Sequence, residues 1–434
     1  MNRRMLVAVV VVTVLSMVLA GCATPEPEEV EVTREVEVEV TSPPEEVEVV
    51  VTATPEPGAE PIKIGLPAIL TGADTYVHGE MIIDAAKLAA EEINADGGVL
   101  GRPIEIVVKD DAGDPKEGVN VAHSFCDDPE IVAVHGHAYS GVSIPTLPVY
   151  NECGMPIIVH GTNPRITEFG FRNVVQNTPN DTITGAAGAD YAKDELGVES
   201  VAVIHNKTMW GKAVAEVFNH QCEQIGLEVT SFQGVDAESM DFTPTLTKVG
   251  SEDPDAVYFA GYTENALMRK QMIDLGMDQL YIAAEATSSE YIDTTQQAGV
   301  GTLSATAAPP LDFRPEIRDF ARNFEEMFGK PPESWSPYYY DAIYAIADAI
   351  ERGGSAERSA IIEALYDVDI SSVVYPGGLQ FDSHGRVENP VTFVWELKVT
   401  MEWEVVYVWE GTPPYEEMSE DEYRTFLENI GLLQ

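Results

Sequence analysis

Short apolar runs alternate with amphipathic segments along the chain from residue 61 onward. The apolar runs have the length of strands, whereas the segments between them repeat apolar residues at helical spacing. In the first half, this pattern predicts strands at 61–69, 103–110, 131–135 and 155–160 and helices at 79–94, 115–126 and 142–153. Strands that alternate with helices are typical of a parallel sheet covered by helices. The predicted fold class is therefore α/β.

The second half repeats this alternation and then changes. Further strands are predicted at 201–205, 227–232, 256–260 and 280–283, with helices between them. The apolar stretches at 391–398 and 402–409 indicate an antiparallel hairpin, and residues 419–433 indicate a short terminal helix. About 370 residues of this pattern exceed one typical domain. We therefore expect two α/β lobes.

The start of the chain has a different pattern. Arg3 and Arg4 precede an apolar run from residue 5 to residue 20, and small residues lie directly before Cys22. These are features of a secretory signal peptide, and the run is shorter than the roughly 20 residues that a membrane-spanning helix needs. Residues 19–22 resemble a bacterial lipobox. We expect residues 1–21 to be a signal peptide and Cys22 to carry a lipid that anchors the mature chain outside the cytoplasmic membrane.

Residues 22–60 differ in composition from the rest of the chain. Valine alternates with glutamate at 35–40, prolines are frequent and aromatic residues are missing. The alternation has the period of a strand, but like charges would repel one another along any ladder that such a strand joined. High charge and few large apolar groups favour a disordered acidic tether.

The charge balance narrows the range of partners. The chain has 73 acidic residues against 25 basic ones, a formal net charge of -48, which argues against binding to nucleic acid or to an anionic lipid surface. No second apolar run has the length of a membrane span, so a transmembrane receptor or permease is not expected. Motifs of nucleophilic catalysis and phosphate-binding loops are also missing, and no enzyme is predicted.

Polar and aromatic side chains follow the predicted strands, at the edge where ligands bind in open α/β sheets. Ser140 and Thr162 lie where helix N-termini would favour a carboxylate. Glu285 and the backbone carbonyl of Gly161 could hold an ammonium group. An apolar remainder of the ligand would be covered by aromatic walls. The candidate wall residues are Tyr76, Trp210 and Tyr262.

Several weak motifs follow one another in a fixed order. They lie at 62–65, 71–72, 94–98, 110–115, 136–137, 162–164, 204–205, 210–211, 261–262, 285 and 377–385. In this order and spacing, the chain from Ile62 to about Trp409 resembles the leucine/isoleucine/valine-binding family of type I periplasmic binding proteins. Members of that family are the solute-binding subunits of amino-acid ABC importers.

The resemblance implies a fold and a function. The family has two Rossmann-like lobes joined by three crossover strands, which we place near Thr178, Pro309 and Tyr375. Lobe 1 would comprise 61–178 and 309–375, lobe 2 would comprise 179–308 and 376–410, and 411–434 would form a tail. The implied protein is a monomer without a cofactor that closes around an amino acid, branched-chain or related, and delivers it to ABC permease subunits.

The resemblance also implies roles for individual residues. By position, Ser140 and Thr162 would bind the α-carboxylate and α-ammonium groups, Glu285 would bind the ammonium group, and Trp210 and Tyr262 would form walls. The cysteine pair of the family is replaced here by Gly113 and Tyr139, so that disulfide cannot form.

The remaining cysteines leave one candidate bridge. An exported chain matures in an oxidising compartment, and Cys126 and Cys153 end two successive helices expected on the same face of the sheet. They are the candidate disulfide pair, although spacing alone does not fix their distance. Cys222 falls in the other lobe and is expected to be a buried or idle thiol.

Histidines are the main departure from the family pattern. His78 stands at a tyrosine position of the family, His135 at an aliphatic one and His160 at that of a small residue or proline, whereas His137 and His205 have counterparts in the family. All five lie at strand ends that would face the cleft. Imidazoles with Glu285 could ligate zinc or nickel, but the pattern favours a polar, hydrogen-bonding wall, and no metal site is predicted. Two other functions stay open: binding of an amide or aromatic acid, and a ligand sensor that acts on a signalling partner.

Overall fold

The computed structural model describes residues 58–72, 75–409 and 418–433. The predicted signal peptide, the lipidation site Cys22, nearly all of the tether and most of the segment between the hairpin and the terminal helix lie outside these ranges. No helix within them combines the length and the apolar character of a membrane span. The described chain forms two β-sheets, each covered by helices.

Sheet 1 is parallel and has the strand order β2-β1-β3-β4-β5. Its strands are β1 (Ile62–Ala68), β2 (Ile104–Asp110), β3 (Ile131–His135), β4 (Ile157–Val159) and β5 (Val174–Gln176). Its helices are α1 (Ile82–Ala95), α2 (Pro115–Cys126) and α3 (Ser140–Glu152). β1 is buried at every position except Lys63 because helices cover both faces of this central strand.

Sheet 2 has the order β12-β11-β10-β9-β8-β6-β7. Its strands are β6 (Ser200–His205), β7 (Glu228–Gly234), β8 (Ala256–Ala260), β9 (Leu280–Ala283), β10 (Leu303–Thr306), β11 (Thr392–Leu397) and β12 (Trp403–Trp409). Its helices are α4 (Asp181–Asp190), α5 (Met209–Ile225), α6 (Thr243–Glu252), α7 (Glu264–Asp274) and α8 (Ser289–Thr295). β10, β11 and β12 pair antiparallel, and the other neighbours pair parallel. We call the units built on sheets 1 and 2 lobe 1 and lobe 2.

Local sequence signals explain several helix ends. The side chain of Asp114 accepts hydrogen bonds from the amides of Lys116 and Glu117, which caps the start of α2. Gly226 takes the left-handed conformation that ends α5. The predicted helix at 79–94 starts later than expected, because a π-helical turn at Tyr76–Met81 precedes α1.

The α/β fold in two lobes is confirmed, and the predicted hairpin is β11 and β12. The pattern missed the short strands β5 and β10.

The return path to lobe 2 differs from the expectation. After β10 the chain adds α9 (Pro315–Phe328), α10 (Ser336–Gly353) and α11 (Arg358–Ala364) to lobe 1. The amide of Gln176 in β5 donates to the carbonyl of Gly385 at 2.7 Å, and Val387 pairs with Phe381 in the same segment. The third crossing therefore lies between Val387 and Thr392, not near Tyr375. Gly377 and Gly378, which begin the motif at 377–385, lie at a turn inside lobe 1.

The cysteines lie where the helix ends place them. Cys126 and Cys153 form a disulfide with a Cα–Cα distance of 5.8 Å, which joins the end of α2 to the residue after α3. Cys222 is a buried free thiol on α5.

The terminal helix α12 (Glu420–Asn429) is shorter than the predicted 419–433. A capping box between Ser419 and Glu422 starts it. Its apolar face packs in one cluster with Ile183 and Val217 of lobe 2. The tail is thus an ordered part of lobe 2 at these residues.

Candidate ligand-binding cleft

Two adjoining cavities lie between the lobes, at the C-terminal ends of the strands. The cavity lined by Ser140 and Thr162, here called the inner cavity, has a volume of about 490 Å³, and the other, here called the outer cavity, about 660 Å³. Both volumes include space that is open to solvent. Both are lined by His78, Tyr262, Glu285 and Trp335, which makes them one continuous cleft.

Lobe 1 lines the inner cavity with neutral polar groups. Ser140 begins α3, and its hydroxyl accepts a hydrogen bond from the amide of Asn163 at 3.1 Å. The first N–H groups of a helix have no partner within it and favour an anion. Thr162 lies next to Ser140 in the cavity wall, and its carbonyl accepts from the amide of Asp181 at 2.9 Å. This side of the cleft can therefore receive a carboxylate.

Lobe 2 places Glu285 opposite, directly after β9 and Ala284. The hydroxyl of Thr306 donates to Glu285 Oε2 at 2.8 Å, and the hydroxyl of Thr287 approaches Oε1 at 3.4 Å. Burial raises the pKa of Glu285 to about 7, although Thr306 and His78 favour the ionised form. A buried carboxylate of this kind is stabilised by a cation.

Asp181 is a second carboxylate in the inner cavity that the sequence analysis missed. It begins α4 and is 1 % exposed. The indole N–H of Trp210 donates to Asp181 Oδ1 at 3.1 Å, and Oδ2 has no hydrogen-bond partner. Burial raises the pKa of Asp181 to about 7. In the sequence, its position after Asn180 indicates only the start of a helix. Its place in the wall of the inner cavity is what identifies Asp181 as a candidate site residue.

Aromatic rings form much of the remaining wall. Trp210 lies in the first turn of α5 and stacks on Tyr262, with ring centroids 4.5 Å apart and planes at 18°. Trp335, just before α10, lines both cavities and was not predicted. It comes from the long segment that returns to lobe 1, where the sequence analysis placed no strand end. Tyr76 lies in the π-helical turn, and its side chain is outside the described part of the structure.

The five histidines separate into two groups. His78 and His160 line the inner cavity, and their rings are 6.2 Å apart. Burial holds the pKa of His160 well below its usual range, so its imidazole is neutral at pH 7. His135, His137 and His205 do not line either cavity, so the expectation that all five face the cleft is wrong for these three.

His137 is instead part of a buried hydrogen-bonded group in lobe 1. Its Nδ1 lies 2.6 Å from Asp111 Oδ2, and its Nε2 lies 3.1 Å from the hydroxyl of Tyr150. Asp111 is 1 % exposed and is neither a solvated strand end nor a helix cap; the cap of α2 is Asp114. These contacts give His137 and Asp111 a structural role.

Gly161 also has a different place from the one expected. It lies in neither cavity wall, and its carbonyl accepts a hydrogen bond from the side-chain amide of Gln176 at 2.5 Å. A Cβ on this residue would lie 3.1 Å from the hydroxyl oxygen of Ser140. Gly161 therefore lets the segment after β4 approach α3 closely. Within the described ranges, no three His, Cys, Asp or Glu side chains are arranged to hold a metal ion.

Residues 61–395 match the family model described as periplasmic binding protein. The chain belongs to the periplasmic binding protein family. This confirms the family resemblance, and membership places the protein outside the cytoplasm.

Individual relatives of this periplasmic binding protein support the same family assignment. It is 31% identical over 340 residues to the Leu/Ile/Val-binding protein homolog 1 of Brucella suis, which covers 77% of this chain and 90% of the relative. It is 30% identical over 344 residues to an amino acid binding protein of Pseudomonas aeruginosa, covering 78% and 91%. The crystal structure of the leucine binding protein LivK from Thermotoga maritima superimposes with a TM-score of 0.74 at 26% identity, covering 82% of this chain and 100% of that one.

Proposed function

We propose that this protein is the solute-binding lipoprotein of an ABC importer and captures an L-amino acid, branched-chain or related. One observation carries the proposal: the buried carboxylate of Glu285 faces the hydroxyls and helix N-terminus of Ser140 and Thr162 across one cavity. The relatives named for leucine, isoleucine and valine binding support it.

The two ends of an amino acid suit the two sides of the cleft. An α-carboxylate can accept hydrogen bonds from Ser140, Thr162 and the first amides of α3, where the helix dipole favours negative charge. An α-ammonium group can then donate to Glu285 and give it the opposite charge that its burial requires. The side chain would lie against Trp210, Tyr262 and Trp335.

Capture follows from the different contacts that the lobes make. The ligand binds first to lobe 1 through Ser140 and Thr162, and Glu285, Trp210 and Tyr262 then close over it. A ligand shifts the equilibrium toward the closed form only by its extra affinity for that form. The charge-assisted bonds to Glu285 supply this difference because they form only on closure.

The proposed role also needs a lipid anchor and a permease partner. Lipid on Cys22 would hold the protein at the membrane, and the acidic tether would let the closed form reach the permease. The protein makes and breaks no covalent bond in this role. Lobe 1 would comprise residues 61–178 and about 309–391, with the remainder up to 410 in lobe 2.

Thermal unfolding of the refolded, ligand-stripped protein tests the proposal against all L-amino acids, small amides and aromatic acids. Selective binding to the native state raises the melting temperature. We expect the largest rise with leucine, isoleucine or valine. A rise with amides or aromatic acids alone would contradict the proposal, as would no rise with any L-amino acid.

A further inference from the structure

Three aromatic rings form a continuous stack across the cleft. Tyr139, the residue before α3, belongs to lobe 1, whereas Tyr262 and Trp210 belong to lobe 2. The ring centroids of Tyr139 and Tyr262 are 4.9 Å apart with planes at 22°, and Trp210 stacks on Tyr262. These distances are those of favourable aromatic pairs. We propose that this stack is a latch that holds the closed form, with Tyr139 as a positioning residue for ligand capture.

The place of the stack links it to capture. Tyr139, Tyr262 and Trp210 all line the inner cavity, together with Ser140 and Glu285. Tyr139 is the neighbour of Ser140 in sequence, so the latch closes directly beside the proposed carboxylate position. Rings on different lobes can stack only when the lobes are together. The Tyr139–Tyr262 contact therefore stabilises the closed form and not the open one.

The pair inside lobe 2 differs from the pair between the lobes. Trp210 and Tyr262 are both carried by lobe 2, so their contact does not depend on closure. The stacked pair presents a fixed ring face toward lobe 1, and the ring of Tyr139 packs against that face. Removing the ring of Tyr139 therefore affects closure without removing the wall that Trp210 and Tyr262 form.

Two hydrogen bonds between the lobes on this side are weak. The side-chain amide of Asn163 donates to the carbonyl of Met209 at a long 3.4 Å. The hydroxyl of Ser289 donates to Glu333 Oε1 at 3.0 Å, at an exposed position. Exposed hydrogen bonds add little because water competes for both partners. The ring stack is therefore a larger source of closed-state stability than either of these bonds.

Lobe 1 holds the ring of Tyr139 in place before closure. Gly113, in the loop after β2, has a φ of +65°, and a Cβ there would lie 3.2 Å from Cε2 of Tyr139. The ring of His78 lies 5.3 Å from that of Tyr139, between centroids. A ring fixed on two sides loses little freedom when it stacks, which favours closure.

The experiment compares the wild type with Tyr139→Ala and Tyr139→Phe, using L-leucine as the probe; in this form it rests on the proposed function. Stopped-flow fluorescence measures association and dissociation, and small-angle scattering measures the radius of gyration. We expect Tyr139→Ala to weaken affinity about tenfold, the scale of one aromatic pair, mainly through faster dissociation. Tyr139→Phe keeps the ring and should restore most of the lost affinity.

Two results would overturn the latch. One is a dissociation rate in Tyr139→Ala equal to that of the wild type. The other is an equal loss in Tyr139→Phe, which would assign the effect to the hydroxyl group. Gly113→Ala crowds the same ring from outside the stack and should also speed dissociation, so the result does not depend on one variant folding well.

Failure of the proposed ligand is distinguishable from failure of the latch. If the wild type does not bind L-leucine, the ligand assignment is wrong. The latch is then tested by comparing the radii of gyration of the ligand-free proteins. A larger radius of gyration for Tyr139→Ala than for the wild type and Tyr139→Phe then supports the latch. Equal radii for all three proteins overturn it.

Discussion

The two faces of the cleft differ in charge. Lobe 1 presents the hydroxyls of Ser140 and Thr162 and the neutral imidazole of His160. Lobe 2 presents two carboxylates, Asp181 and Glu285, whose pKa values burial raises to about 7. Neutral donors suit an anionic group and carboxylates suit a cationic one. This difference supports the proposal that each lobe recognises one end of a zwitterion, so that a full set of contacts would form only when both lobes engage the ligand.

The largest expected effect comes from removing the charge of Glu285. Glu285→Gln keeps the size of the side chain but leaves the buried ammonium group without a charged partner. We expect the free energy of leucine binding to weaken by about 2–5 kcal/mol, measured by calorimetry. Glu238→Gln removes a charge from an exposed position of lobe 2 and serves as the control. If Glu285→Gln bound leucine with the affinity of the wild type, lobe 2 would not recognise the charge of the ligand.

The next effect is expected on the lobe 1 side. Ser140→Ala removes a hydroxyl that can donate to the carboxylate, and hydrogen bonds to charged groups contribute about 1.5–3 kcal/mol. Leucinamide has no carboxylate, so the substitution should cost less with leucinamide than with leucine. Equal costs for the two ligands, measured by calorimetry, would show that Ser140 does not contact the carboxylate.

The titration of Glu285 should make binding dependent on pH. Burial in this structure raises its pKa to about 7, and the protonated form must lose its proton before it can pair with an ammonium group. Leucine affinity should therefore fall about tenfold between pH 8 and pH 6. His78 faces Glu285 and favours its ionised form, which limits the loss. A profile that is as steep in Glu285→Gln as in the wild type would assign the titration to another group.

The smallest expected effect concerns stability. The buried Asp181 has a pKa above its ordinary value, so the folded state binds more protons than the unfolded state and loses stability as pH rises from about 4 to 7. Asp181→Asn removes this cost and keeps an acceptor for Trp210. It should raise the melting temperature of the ligand-free protein by about 2 °C at pH 8.

The gain from Asp181→Asn should shrink as the pH is lowered from 7 toward 4 and vanish below that, where Asp181 is protonated in both states. Calorimetric scans of the two proteins at several pH values check this dependence. A gain of the same size at every pH would point to packing rather than charge.

The sequence was informative where structure follows from local pattern. Short apolar runs in the sequence indicated most strands, and the start of α2 at Pro115 follows from the capping residue Asp114 beside it. Trp210, Tyr262 and Glu285 were placed because each lies within a few residues after a strand that could be recognised. They do line the cleft, although their roles toward a ligand stay proposals.

The rest depends on packing that local pattern does not encode. Trp335 reaches the cleft through a segment that returns from lobe 2, and Asp181 reaches it from a short crossing. The sequence did not show which histidines line the cleft and which lie in the core, because neighbouring residues on one strand point to opposite faces. His137 became a core residue through contacts with Asp111 and Tyr150, which come from separate elements.

The measurement that tests recognition of a zwitterion most directly is calorimetry of the wild type with L-leucine, leucinamide and 4-methylpentanoate. The last two lack the carboxylate and the ammonium group, respectively. The account predicts that leucine binds and that each analogue is weaker by at least about 2 kcal/mol, since each leaves buried polar groups unpaired. Binding of 4-methylpentanoate as tight as that of leucine would contradict it, because the carboxylates of lobe 2 would then not select a cation.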